Sequence, residues 1–176
     1  MTDVVSEACI GSVLFTDLVG FTEYNDAVGD IEAVEVLDRQ TRLAAHAVAG
    51  HPDARVVKEL GDGLMLWFGG ADAAVDAALQ LLKSIEVERN SGSFPLAIRM
   101  GVHHGEALTR GKDVVGSTIN IGARVADLAG PGELLVSDVA LDAMDTKRRD
   151  VLHCASVGPV RVKGVRAPVW LQRVSR

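Results

Sequence analysis

An α+β fold, with a ferredoxin-like βαββαβ core and additional C-terminal α and β elements, follows from three features of this 176-residue chain. Apolar, β-prone runs and helix-periodic stretches succeed one another in the order β-α-β-β-α-β. Two of the apolar runs are joined by Gly61-Asp62-Gly63, a strong hairpin signal. Finally, 48% of the residues are hydrophobic but only 4% are aromatic, so the core must be built from aliphatic side chains. That profile belongs to a folded chain and argues against disorder.

The elements are expected as follows. Ile10 to Phe15 is apolar and ends at Thr16-Asp17, a buried strand. Asp30 is expected to cap a helix through about Ala49, with Ile31, Val34, Leu37, Thr41, Ala45 and Val48 on its inner face and Gly50 as its stop. Val56 to Leu60 and Leu64 to Phe68 form the hairpin. After Gly69-Gly70, an Ala-rich helix from about Ala71 to Glu88 turns Val75, Ala78, Leu79, Leu82 and Ile85 inward. Leu96, Ile98, Met100 and Val102 then alternate with Ala97, Arg99, Gly101 and His103, the period of a strand with one buried face. Ser117 or Thr118 can cap a helix from Ile119 to Ala129, which Gly130-Pro131-Gly132 ends. Leu134 to Val136 and Val169 to Val174 supply late strands. The order suits a sheet with helices on one face.

Composition bounds the function. The length suits one domain spanning residues 1–176. A net charge of -6 disfavours a general nucleic-acid binder, which needs a basic face, but leaves a nucleotide substrate open. The two cysteines, Cys9 and Cys154, lie far apart and in no ligand-like spacing, which fits a reducing compartment. With no signal peptide and no apolar run of membrane-spanning length, the expected location is cytoplasmic, with no membrane partner.

Several polar residues could carry chemistry. Asp17 follows a buried strand, where a carboxylate can hold a hard cation; alone, it reads more readily as a helix cap. The turn after it, around Gly20, could aim backbone N–H groups at a phosphate. Asp62 sits at the hairpin tip, where Asp-Gly is also a common type I′ turn pair. If the first strand lies beside the hairpin, the two carboxylates converge and could bind a pair of metals suited to in-line phosphoryl displacement. Lys58, Asp113, Asn120 and Arg124 each have an ordinary reading as solvated side chains; Asn120 and Arg124 share one helix face. Gly105 to Lys112 is rejected as a phosphate-binding P-loop because five residues separate its glycines and Asp113 follows the lysine. His46, His51, His103 and His104 lack zinc spacing.

Taken together, the segments resemble the class III adenylyl/guanylyl cyclase catalytic domain, in order and over a core of about residues 10–174. They are Val13 to Thr22, Lys58-Glu59-Leu60-Gly61-Asp62-Gly63, Arg99 to Gly105, Gly116 to Arg124, Pro131 to Ser137 and Val162-Lys163-Gly164. The nearest likeness is to bacterial stand-alone adenylyl cyclases. The resemblance implies conversion of ATP to 3′,5′-cyclic AMP and pyrophosphate, by two-metal-assisted attack of the ribose 3′-hydroxyl on the α-phosphate. It implies two divalent ions, Mg²⁺ or Mn²⁺, on Asp17 and Asp62 with the Leu18 carbonyl as an additional ligand. Lys58 and Asp113 match the base-selecting pair, Asn120 and Arg124 the ribose-orienting and charge-stabilising pair, and Lys163 a lysine on the terminal phosphates. Phe21 and Thr22, after Gly20, are expected at the substrate. Family sites form between two such domains, so a chain carrying the whole set is expected to form a homodimer with two shared sites. Guanylyl members typically have Glu at the position of Lys58, and a guanylyl cyclase is the nearest alternative. A catalytically weak nucleotide-binding or dimerisation module is the other.

Overall fold

The computed structural model describes residues 6–163 and 165–176. In chain order the elements are β1 (Ser6–Val19), α1 (Phe21–Val28), α2 (Asp30–Val48), β2 (Arg55–Leu60), β3 (Gly63–Phe68), α3 (Ala71–Asn90) and β4 (Ala97–Arg110). There follow β5 (Asp113–Val115), α4 (Ser117–Asp127), β6 (Leu134–Ser137), α5 (Asp138–Asp142), α6 (Thr146–Arg149), β7 (His153–Val160) and β8 (Val169–Ser175). The sheet runs β2-β3-β1-β4-β6-β8-β7, with β5 paired to β4. Its first four strands are the expected ferredoxin-like core. β1 is antiparallel to both β3 and β4, β6 extends the sheet parallel to β4, and β8 and β7 close that side. Among the described residues, no helix is long and apolar enough to cross a membrane.

The aliphatic core divides between the two faces of the sheet. Leu14, Leu18, Leu64, Leu66, Phe68, Ile98, Met100 and Val102 face α2 and α3. Val13, Phe15, Met65, Trp67 and Ala107 face the other way, packing with Ile119 and Ala126 of α4. The expectation of helices on a single face is therefore corrected: α4 covers the second one. Glycine permits it. A Cβ on Gly101 would overlap the backbone of Ala126, and one on Gly122 would overlap Val13, so α4 rests directly on β1 and β4.

The inner face of α2 also differs from the expected one. Ala33, Val36, Gln40, Ala44 and Ala47 are buried, whereas Ile31 and Val34 are exposed. Small alanines let the helix approach the sheet, and a polar contact fixes its rotation. The buried Gln40 side chain donates to Thr16 Oγ1 at 3.1 Å, and that oxygen also accepts from Leu64 N at 3.2 Å. Removing the Thr16 hydroxyl would leave the buried Gln40 amide without its acceptor, at about 1–3 kcal/mol. Asp30 opens α2 rather than capping it; Gly29, at φ 88°, makes the break from α1. Likewise Gly116 caps α4, and the Thr118 hydroxyl instead donates to the Glu106 carbonyl.

Candidate active site

The β1–β3 register ends at Thr16↔Leu64, so Asp17 lies one residue beyond it, at the foot of the β2–β3 loop. Leu60 pairs with Gly63, which makes Gly61-Asp62 the two-residue loop in place of the expected Asp62-Gly63. Gly61 has φ 67°, and Asp62 has none of the left-handed backbone that a type I′ turn would demand of it. Gly63 lies so close to β1 that a Cβ there would come within 2.5 Å of the Thr16 carbonyl oxygen. The hairpin tip is thereby drawn against the end of β1.

This arrangement brings Asp17 and Asp62 together. Burial pushes the Asp62 carboxyl above its usual range, the negative charge of Asp17 pushes it further, and the Arg99 guanidinium partly offsets the two. A half-buried carboxylate crowded by a second one is a place where a cation is favoured. Among the described residues no group of three or more His, Cys, Asp or Glu is placed to hold a metal, and the pair itself offers only carboxylate oxygens. Such a set suits hard ions such as Mg²⁺ or Mn²⁺. Leu18, the next residue, is buried by its side chain in the α2–α3 core.

Arg99 is the residue that the sequence reading passed over. It stands opposite Asp17 in the β1–β4 ladder. Its Nε and Nη2 lie 2.7 and 2.6 Å from Asp17 Oδ2, and its Nη1 donates to the Asp127 carbonyl at 3.1 Å. A charged residue inside an alternating apolar strand was the available signal; its partner depended on a register that sequence does not supply.

Lys58 and Asp113 form a second pair, from elements far apart in sequence. Lys58 lies opposite Met65, on the α4 side of the sheet. Asp113 opens β5 at the far end of β4. Lys58 Nζ reaches Asp113 Oδ1 at 2.9 Å and Oδ2 at 2.8 Å, and Oδ1 also accepts from Val114 N at 2.8 Å. The hydrogen bond from Lys58 is the main reason that the Asp113 carboxyl sits below its usual range.

The remaining expected residues are not gathered into these two clusters. Asn120 and Arg124 lie exposed on α4, with Arg124 Nη1 paired to Asp127 Oδ2 at 3.0 Å. Lys163 is exposed in the β7–β8 connection; its neighbour Gly164 lies outside the described residues. Phe21 packs on the core at the start of α1, and Thr22 is exposed beside it. One chain thus builds a carboxylate pair and a Lys–Asp pair, and presents an arginine and an asparagine outward.

Comparison with known proteins fits this arrangement. The family model described as "Adenylate and Guanylate cyclase catalytic domain" matches residues 5–172, and the chain belongs to that family. It is 34% identical over 166 residues to a pH-sensitive adenylate cyclase of Mycobacterium tuberculosis, covering 94% of this chain and 40% of that protein. It is 33% identical over 124 residues to an adenylate cyclase of Streptomyces griseus, covering 70% of this chain and 30% of that one. The chain therefore spans well under half the length of these relatives. In fold it is similar to the adenylyl cyclase CyaB of P. aeruginosa, with a TM-score of 0.86 at 23% identity over 98% of this chain and 96% of the other. It is also similar to the guanylyl cyclase Cya2, with a TM-score of 0.81 at 24% identity over 96% and 93%. Since both kinds of cyclase share the fold, base choice has to be argued from side chains.

Proposed function

We propose that this chain is an adenylyl cyclase domain that converts ATP to 3′,5′-cyclic AMP and pyrophosphate at sites shared across a homodimer. The Lys58–Asp113 pair carries the choice of base. Lys58 Nζ has three N–H donors and directs them to two Asp113 oxygens at 2.9 and 2.8 Å, so one remains for an acceptor. Asp113 Oδ2 has a lone pair to spare beside that contact. One donor and one acceptor side by side complement adenine, which offers an acceptor at N1 and a donor at N6. Guanine presents the reverse at N1 and O6. A mispaired buried polar group costs about 1–3 kcal/mol, enough to disfavour GTP.

Asp17 and Asp62, with the Leu18 carbonyl as an additional ligand, would hold two divalent ions, Mg²⁺ or Mn²⁺. When bound, these ions supply charge that acidifies the ribose 3′-hydroxyl and neutralises the triphosphate. In this reading the 3′-hydroxyl gives its proton to solvent or a substrate phosphate, its oxygen attacks the α-phosphate in line, and pyrophosphate leaves. Asn120 orients the ribose, Arg124 offsets charge developing on the α-phosphate, and Lys163 holds the terminal phosphates. Backbone N–H groups at Phe21 and Thr22, at the start of α1, face the substrate phosphates. The exposure of Asn120, Arg124 and Lys163 supports a site completed by a second copy, since outward groups on one protomer can meet the carboxylates of its partner.

The test is cyclic nucleotide formation from ATP and from GTP, followed by complementation. Asp17→Ala is expected to be inactive, and Lys58→Ala to turn over ATP at a small fraction of the parental rate. Random pairing in an equal mixture makes about half the dimers mixed, each with one whole site of two, so about a quarter of parental activity should return. No recovery overturns the shared site, and a preference for GTP overturns the choice of base.

A further inference from the structure

We propose that Arg99 is a positioning residue that competes with the metal ions for Asp17, so that occupancy of the carboxylate pair requires its guanidinium to move aside. The inference rests on reading Asp17 and Asp62 as the metal carboxylates. Arg99 places both Nε, at 2.7 Å, and Nη2, at 2.6 Å, on the single oxygen Asp17 Oδ2. The Nε hydrogen bond occupies one acceptor site of Oδ2 and Nη2 crowds the same oxygen at ion-pair distance, so a cation drawn to Asp17 meets the guanidinium charge directly. Asp17 and Arg99 are both about 30% exposed, so their attraction is only partly screened by water.

The guanidinium is also held from a third side. Nη1 donates to the carbonyl of Asp127, the last residue of α4, at 3.1 Å. This anchor fixes the plane of the side chain and keeps it beside Asp17, where a solvated arginine would spend little time. Among the described residues Arg99 makes its side-chain contacts with Asp17 and the Asp127 carbonyl, and none with Asp62. The guanidinium is thus committed to Asp17 alone of the two carboxylates, and that contact makes it a competitor for one metal ligand.

Mn²⁺ binding to the nucleotide-free protein, followed by electron paramagnetic resonance of the free ion, tests this without reference to turnover. Arg99→Gln removes the competing charge and should bind Mn²⁺ roughly tenfold more tightly than the parent. Equal or weaker binding, including none detectable in either protein, overturns the proposal. Adding Asp17→Asn to Arg99→Gln should erase the gain. If tight binding survives that change, Asp17 is not the ligand and the metal reading itself fails. If Asp17→Asn weakens binding by the parent while Arg99→Gln matches the parent, the metal reading stands and the competition fails. Should circular dichroism show Arg99→Gln unfolded, Arg99→Lys keeps the charge but loses the fork; a severalfold gain supports the proposal and no gain overturns it.

Discussion

Replacing Lys58 with methionine isolates the base-reading contact, because the aliphatic stem is retained and only the ammonium is lost. Asp113 then loses both of its Lys58 contacts, at 2.8 and 2.9 Å, and keeps only the Val114 N–H on Oδ1. Adenine N1 loses its donor at the same time. Two effects follow on the proposed reading. The unpaired N1 costs about 1–3 kcal/mol in the transition-state complex, which is roughly a 5- to 150-fold fall in kcat/KM for ATP. GTP, which gains nothing from Lys58 in the parent, should fall far less, so the ATP-to-GTP ratio of kcat/KM should contract by a similar factor. The assay is initial-rate measurement with each nucleotide at fixed excess Mn²⁺, with product resolved by chromatography. If kcat/KM for both nucleotides falls equally, Lys58 contributes stability or positioning and does not read the base, and the donor–acceptor argument is refuted.

Asp62→Asn should abolish turnover yet stabilise the metal-free protein. The folded-state carboxyl is raised, so folding is disfavoured as pH rises from the unfolded value through the folded one, and the penalty persists at neutral pH. Urea denaturation at pH 7 with a chelator should show a higher midpoint for the variant, and added Mn²⁺ should raise the midpoint of the parent alone. His103 gives the opposite pH signature. Burial, and to a lesser degree the charge of His104, lowers it from 6.5 to about 4. The unfolded chain then binds the extra proton first, so stability is full above about pH 6.5 and is lost as pH falls towards 4. The shift corresponds to at most about 3 kcal/mol. His103→Gln should flatten that part of the curve, and parallel curves for variant and parent would refute it.

Much of this fold was legible because its signals are local. The hairpin announced itself through glycines between two apolar runs, and α3 through alanine and leucine at helical spacing. What was misread depended on tertiary choices. In α2 the hydrophobic stripe through Ile31 and Val34 looked like the inner face, but Gln40 reaching Thr16 and the small Ala33, Ala44 and Ala47 set the rotation. The edge strand β7 escaped notice because nearly all of it is exposed, with no apolar alternation to betray it. At the site, the resemblance paired Asp17 with Asp62 and Lys58 with Asp113, and the structure brings the members of each pair together. Arg99 was invisible as a partner because nothing in one strand's sequence says which residue of another will lie across from it.

The seating of α4 on bare glycine has a consequence for how this domain can fail. Ordinarily a helix is spaced from its sheet by a cushion of side chains that can shrink, swell or repack. Here, at Gly101 and Gly122, the spacing is set by atoms that are absent, and the next atom added lifts the whole helix. Asn120 and Arg124 ride on its outer surface. A single methyl group on the inner side would therefore act as a wedge, moving the two reach-out residues relative to a partner while the α2–α3 core on the opposite face stays intact. Damage of that kind would leave a folded protein and, for the proposed homodimer, two protomers that no longer meet in register.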